Sequence, residues 1–236
     1  MKKRILICLM FMFLIGGCST ASNDTSVENV NTEINVTQKK KTQAERISEK
    51  TIKYIDELGN PKILYLATVQ NTDTQPLEFG NVTIDIKNRD DEMLKHVDMG
   101  SVYPPYIMPG EYGYICEECT QLDTSVNLDE VGSAEMHFGT RAVNYDKPDV
   151  EITELKMVKG SYSWNVLGKV EANEDIEDLF IAFPIFDENK ELQSVALTSL
   201  EGLYTGDIRG FECSPIEHDP SEDFSNSTIE AIPYIY

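Results

Sequence analysis

The sequence predicts an all-β protein built from two tandem β-sandwiches, on three observations. Val82, Ile84 and Ile86 alternate with Thr83, Asp85 and Lys87, the period-two pattern of a strand with one buried and one wet face. No long segment of 3.6-residue period follows Leu58. The order of strand-like and turn-like segments then recurs: Asp90 and Asp187, Gly110 and Gly206, and Cys116 and Cys213 lie 97, 96 and 97 residues apart. Many short strands repeated at about 100 residues suggest two sandwich domains.

The chain starts differently. Lys2, Lys3 and Arg4 precede an apolar run from Ile5 to Ile15, 11 residues long, where a spanning helix needs about 20. A charged start, a short apolar stretch and small residues describe a secretory signal. Ile15-Gly16-Gly17-Cys18 resembles a bacterial lipobox, with Ile15 where leucine is usual. The resemblance implies that residues 1–17 are a lipoprotein signal peptide and that Cys18 is lipidated as the mature N-terminus. A diacylglyceryl group anchors stably, since each buried methylene adds about 0.8 kcal/mol. The expected location is the extracytoplasmic face of a cell membrane. Ser19 to Lys41 is rich in Ser, Thr and Asn and too weakly apolar for a core, so residues 18–46 read as lipidated cysteine and flexible spacer.

Residues 47–148 read as the first sandwich. Thr42 to Glu57 is charged and fits either a helix or the lead into a strand through the alternating Thr51–Leu58 stretch. Ile63 to Gln70 is β-rich, Asn71 to Pro76 is turn chemistry, and Pro109-Gly110 marks a further turn. Tyr112, Tyr114 and Cys116 alternate with Gly113 and Ile115, and Ala134 to Val143 is the last strand. Asp146-Lys147-Pro148 is the boundary, and residues 149–236 form the second sandwich. The repeat implies two independently folded halves meeting near Lys147-Pro148.

Matching the halves sets Ile84–Asp90 against Ile181–Asp187. Phe183-Pro184-Ile185-Phe186-Asp187 resembles the motif of the bacterial FxLYD domain, with Ile for Leu and Phe for Tyr. The resemblance covers residues 150–236, and 50–148 more weakly, because Ile86–Asp90 keeps only the aspartate. It implies immunoglobulin-like sandwiches in a surface lipoprotein and no catalytic residues. The residues agree with it. Phe183 and Ile185 share one strand face and should pack the core, as should Trp164. Asp187 to Lys190 is a polar hairpin whose aspartate can bond the backbone two residues on.

Charge narrows the function classes. Without residues 1–17, 17 Lys+Arg face 41 Asp+Glu, a net charge of −24. Nucleic-acid affinity rests on cationic side chains neutralising phosphates, so nucleic acid is excluded as a partner. Cationic ligands, metal ions or basic surfaces remain, as does the plain reading that the charge keeps a tethered protein soluble.

Candidate sites are few. Cys116-Glu117-Glu118-Cys119 permits a local disulfide only through a tight turn, since extended residues three apart are about 10 Å apart and a disulfide needs less than about 7 Å. Buried structural thiols are the other reading, and the two glutamates oppose a redox role. His96, His137 and His218 lack metal spacing, so neither metal nor cofactor is expected. Acidic stretches at 90–92, 174–178 and 217–223 offer oxygen but no EF-hand loop. Tyr103-Pro104-Pro105-Tyr106 reads either as a loop capping the sandwich or as an exposed pair, Tyr103 and Tyr106, contacting a partner. The sequence reading is therefore a lipid-anchored binding protein, not an enzyme, with a protein or glycan ligand at the cell surface. The alternative is a cell-envelope hydrolase using paired carboxylates in an acidic cleft.

Overall fold

The computed structural model describes residues 43–56, 58–119, 127–161, 163–216 and 222–236. Residues 1–17, read above as a signal peptide, Cys18 and most of the stretch read as spacer lie outside the described residues, as does His218. The first sandwich contains β1 (Ala44–Ile55), β2 (Pro61–Asn71), β3 (Leu77–Asn88), β4 (Met93–Gly100), β5 (Tyr106–Ile107), β6 (Tyr112–Cys119) and β7 (Val131–Ala142). The second contains β8 (Val150–Lys159), β9 (Trp164–Ala172), β10 (Ile176–Phe186), β11 (Leu192–Leu203), β12 (Ile208–Cys213), β13 (Thr228–Ile229) and β14 (Ile232–Tyr234). Within the stretch that fitted either a helix or a strand, Ala44–Ile55 is strand, and β1 begins inside the stretch read as spacer. Among the described residues no helix is long and apolar enough to cross a membrane.

Four antiparallel sheets make the two immunoglobulin-like sandwiches, and their topology repeats. Order β1-β2-β6 faces a sheet in which β3 pairs with β4, β5 and β7. Order β8-β9-β12 faces a sheet in which β10 pairs with β11, β13 and β14. So β2 corresponds to β9, β3 to β10 and β6 to β12.

The structure corrects the register of this repeat. The amide of Asn88 donates to the Glu92 carbonyl at 2.9 Å, and that of Asp187 to the Glu191 carbonyl at 2.9 Å. Asp91 and Lys190 both take φ of +65° in these turns. Asn88, not Asp90, is therefore the counterpart of Asp187, and Ile84 and Ile86 match Phe183 and Ile185. Alternation could not separate the two alignments. A slip of one residue turns every side chain to the other face, but a slip of two restores the pattern. The hairpin itself forms as the residue types predict: Asp187 Oδ1 accepts from the amides of Asn189 and Glu191, each at 2.8 Å.

Each sandwich has its own core. Ile63, Tyr65, Val69, Ile84, Ile86 and Ile115 are fully buried in the first. Val166, Leu179, Ile181, Phe183, Ile185 and Phe224 are fully buried in the second, with Trp164 packed against them and edge-on to Phe224 at 6.2 Å. Gly168 is required there: a Cβ would lie 2.4 Å from the Phe211 ring, which stacks on Phe183 at 5.0 Å.

A third core joins the halves. Tyr54, Leu64, Leu66, Tyr114 and Cys116 on the outer face of β1-β2-β6 pack against Leu192 and Val195 of the β10–β11 sheet, with Phe186, Leu197 and Ile232 alongside. Four sheets thus stack as layers, the inner two covered on both sides. β2 carries this in its composition: Ile63, Tyr65 and Val69 face one core while Leu64 and Leu66 face the other. Strands buried on both faces read as continuous apolar runs, not as alternation.

Candidate functional site

Where the two inner sheets meet, their rims leave an open groove of about 270 Å³. Tyr112 and Tyr114 reach it from the outer face of β6, because the alternation that sends Gly113 and Ile115 inward sends them outward. Tyr114 forms the floor. It is 4% exposed, and its ring meets Phe186 edge-on at 5.6 Å. Tyr112 is 42% exposed and lines a wall.

Two carboxylates enter from opposite halves. Glu111 follows Gly110, whose φ of +81° turns the chain, and the Asn71 amide holds the Glu111 carbonyl at 3.0 Å. The Lys147 ammonium sits on its carboxylate at 2.6 Å. Glu230 lies between β13 and β14, where its amide donates to the Pro184 carbonyl at 3.2 Å. Burial first, then the charges of Glu230, Tyr112 and Glu111, push the Tyr114 hydroxyl pKa up. Among the described residues, neither that hydroxyl nor the Glu230 carboxylate has a hydrogen-bond or ionic partner.

Tyr103 and Tyr106 do not line this groove, and the protein's own residues engage them. Tyr103 and Tyr114 exchange backbone hydrogen bonds of 2.8 and 2.9 Å, and Tyr103 packs half-buried against the third core. Tyr106 stacks on Tyr145 at 4.8 Å and meets Tyr236 edge-on at 6.2 Å. Of the two sequence readings, the geometry matches the loop whose tyrosines cap the sandwich. Pro104, next to Tyr103, is buried.

The disulfide reading of Cys116 and Cys119 is corrected, because the two thiols are not joined to one another. β6 stays extended through both residues, and a spacing of three puts them on opposite faces. Burial, then the charges of Glu117 and Glu118, pushes the Cys119 thiol pKa up to about 12. Cys213 is a free thiol, with its pKa pushed up to about 12 by burial and then Glu212.

The structure brings together two histidines that sequence spacing left apart. On the outer face of the β3 sheet, His96 places Nδ1 2.5 Å from Asp85 and Nε2 2.9 Å from Asp98. His137 approaches the other oxygen of Asp85 at 3.4 Å. Hydrogen bonding to Asp85, then to Asp98, raises the His96 pKa. Among the described residues, no group of three or more His, Cys, Asp or Glu is arranged to hold a metal ion. The acidic stretches are partly spent on turns: Asp175 accepts from the Thr205 amide at 2.8 Å and its hydroxyl at 2.9 Å. Residues 217–221 lie outside the described residues.

Glu111 and Glu230 were not singled out in the sequence, and no local signal joins residues so far apart. The continuous apolar run of β2 was the available hint, since it announces a covered outer face and hence a seam.

The fold and seam define an all-β protein of two immunoglobulin-like sandwiches packed back to back. No family model and no curated protein matches the chain. Among solved structures it is similar to dimeric latent PorU from Porphyromonas gingivalis, at 12% identity and a TM-score of 0.24. That match spans 81% of this chain and 19% of the PorU chain.

Proposed function

We propose that the chain is a lipid-anchored, extracytoplasmic binding protein without catalytic activity, in which Cys18 and a spacer present a rigid pair of sandwiches. One observation carries the binding role: the seam groove sets the unpartnered Tyr114 hydroxyl near the Glu230 carboxylate, between two domains joined by an apolar core. Ligand sites form preferentially at such domain interfaces, where a few polar groups converge among apolar walls. The FxLYD resemblance and the lipobox support the location. A protein partner at the cell surface suits a groove open to solvent better than a small molecule, which needs enclosure.

Two measurements test this reading. Cys18→Ser should move the protein from the membrane to the soluble fraction and remove the lipid mass. Cross-linked capture from native membranes should recover a partner with the natural chain and lose it with Tyr112→Ala/Glu230→Ala. A partner retained equally by that variant excludes the groove, and unchanged partitioning of Cys18→Ser excludes the anchor.

A further inference from the structure

We infer that the seam groove receives a lysine or arginine side chain of a polypeptide partner. The inference rests on the binding reading above and gives it a chemistry.

Charge complementarity carries it first. Glu111 and Glu230 enter the groove from two different sandwiches, and the chain as a whole has a net charge of −21. A carboxylate at the mouth of a groove with low-dielectric walls attracts a cation more strongly than the same carboxylate on a flat surface. The molecule already shows the pairing, since Lys147 holds Glu111 with its ammonium at 2.6 Å. Glu230, across the groove, has no such partner among the described residues.

The walls select the form of the cation. Tyr112, Ile232 and Pro233 are apolar or aromatic and line the groove together with the carboxylates. Lysine and arginine lay an alkyl stem along apolar surface while keeping the charged head at a polar end, and this groove offers both kinds of surface. Tyr112, partly exposed, offers a ring face to the cation. The Tyr114 hydroxyl at the floor is a further acceptor for an N–H donor, and as a neutral phenol at ordinary pH it can also donate. A bare metal ion would use neither the apolar walls nor the tyrosine faces. The volume of about 270 Å³ suits a side chain, not a folded element.

The test is titration of the full chain in detergent with three capped pentapeptides whose central residue is lysine, arginine or norleucine, followed by backbone amide NMR shifts and calorimetry. The lysine and arginine peptides should bind saturably, with shifts confined to 110–114 and 230–233. The norleucine peptide should bind about tenfold more weakly, equivalent to about 1.4 kcal/mol. Glu230→Gln should abolish that preference, and Tyr114→Phe should reduce affinity with the fold intact. Glu171→Gln, which removes the same charge from the exposed face of β9, should change nothing. Equal binding of lysine and norleucine peptides would overturn the cationic assignment while leaving a binding groove in place. Equal loss in Glu171→Gln and Glu230→Gln would reduce the effect to net charge and overturn the site. Absence of saturable binding by either cationic peptide overturns it as well, whereas the binding role itself falls only with the capture experiment.

Discussion

Cys116 and Cys119 lie three residues apart on one strand and end in different cores. Cys116 faces the seam, 3.9 Å from the Ser194 hydroxyl of the other sandwich, while Cys119 is enclosed in the first sandwich. An odd spacing on an extended strand places two side chains on opposite faces. Neither thiol should therefore react with maleimide in the native state, and both should react in denaturant, read by mass spectrometry. Mild oxidation should produce no bond between them. A 116–119 disulfide in the folded protein would contradict the strand.

The third core packs residues of both sandwiches together and should make them unfold as one body. Leu66→Ala should destabilise the protein by about 2–5 kcal/mol, the range for a buried leucine truncation, and unfolding should remain a single transition reporting both halves. Residues 150–236 expressed alone would expose Phe186, Leu192, Val195 and Leu197, so the fragment should bind a hydrophobic dye or associate. A monomeric, dye-silent fragment with natural near-UV circular dichroism would show that the halves are separable, as the sequence repeat suggested.

The tyrosine loop should behave as structure. Tyr103→Ala/Tyr106→Ala removes rings that pack on the third core, Tyr145 and Tyr236. Truncation of a buried aromatic costs about 3–5 kcal/mol, and these half-buried rings should together cost about 2–4 kcal/mol in chemical denaturation. A change below measurement error would return the pair to a surface role.

The His96–Asp85 pair predicts a pH effect of definite sign. The His96 pKa in the folded protein lies above its ordinary value of 6.5, mainly through the hydrogen bond to Asp85 and then that to Asp98. A raised folded-state value means the contribution is fully present below the unfolded pKa and is lost as pH rises through the folded one. The charge of Asp85 is favoured by the same contact, with His137 on its other oxygen. Proton NMR of the His96 ring should titrate above 6.5, and Asp85→Asn should move the midpoint down. Equal midpoints in the two proteins would remove Asp85 as the cause.

Much of the fold was legible because strand identity is local. Val82, Ile84 and Ile86 announced their buried face, Asp187 announced its turn, and Phe183, Ile185 and Trp164 went to the expected core. The repeat was legible as an order of segments, but its register was not, because a two-residue shift preserves the pattern by which it was aligned. The place of the Tyr103–Tyr106 loop stayed open between two readings for a related reason. Two prolines and two tyrosines describe a segment that cannot pair fully as a strand, and they say nothing about what lies against it.

By itself, then, the sequence determined the faces of the strands and the chemistry of the turns, since each follows from neighbours one to four residues apart, and its repeat announced the two sandwiches. Only the tertiary structure decided what covers the outer face of β2 and β6. That choice created the third core, buried Cys116, engaged Tyr103, and set Glu111 and Glu230 along one groove. Alternation reports which side chains share a face, but the partner of that face is chosen by packing between segments far apart in the chain, as Cys116 and Ser194 are.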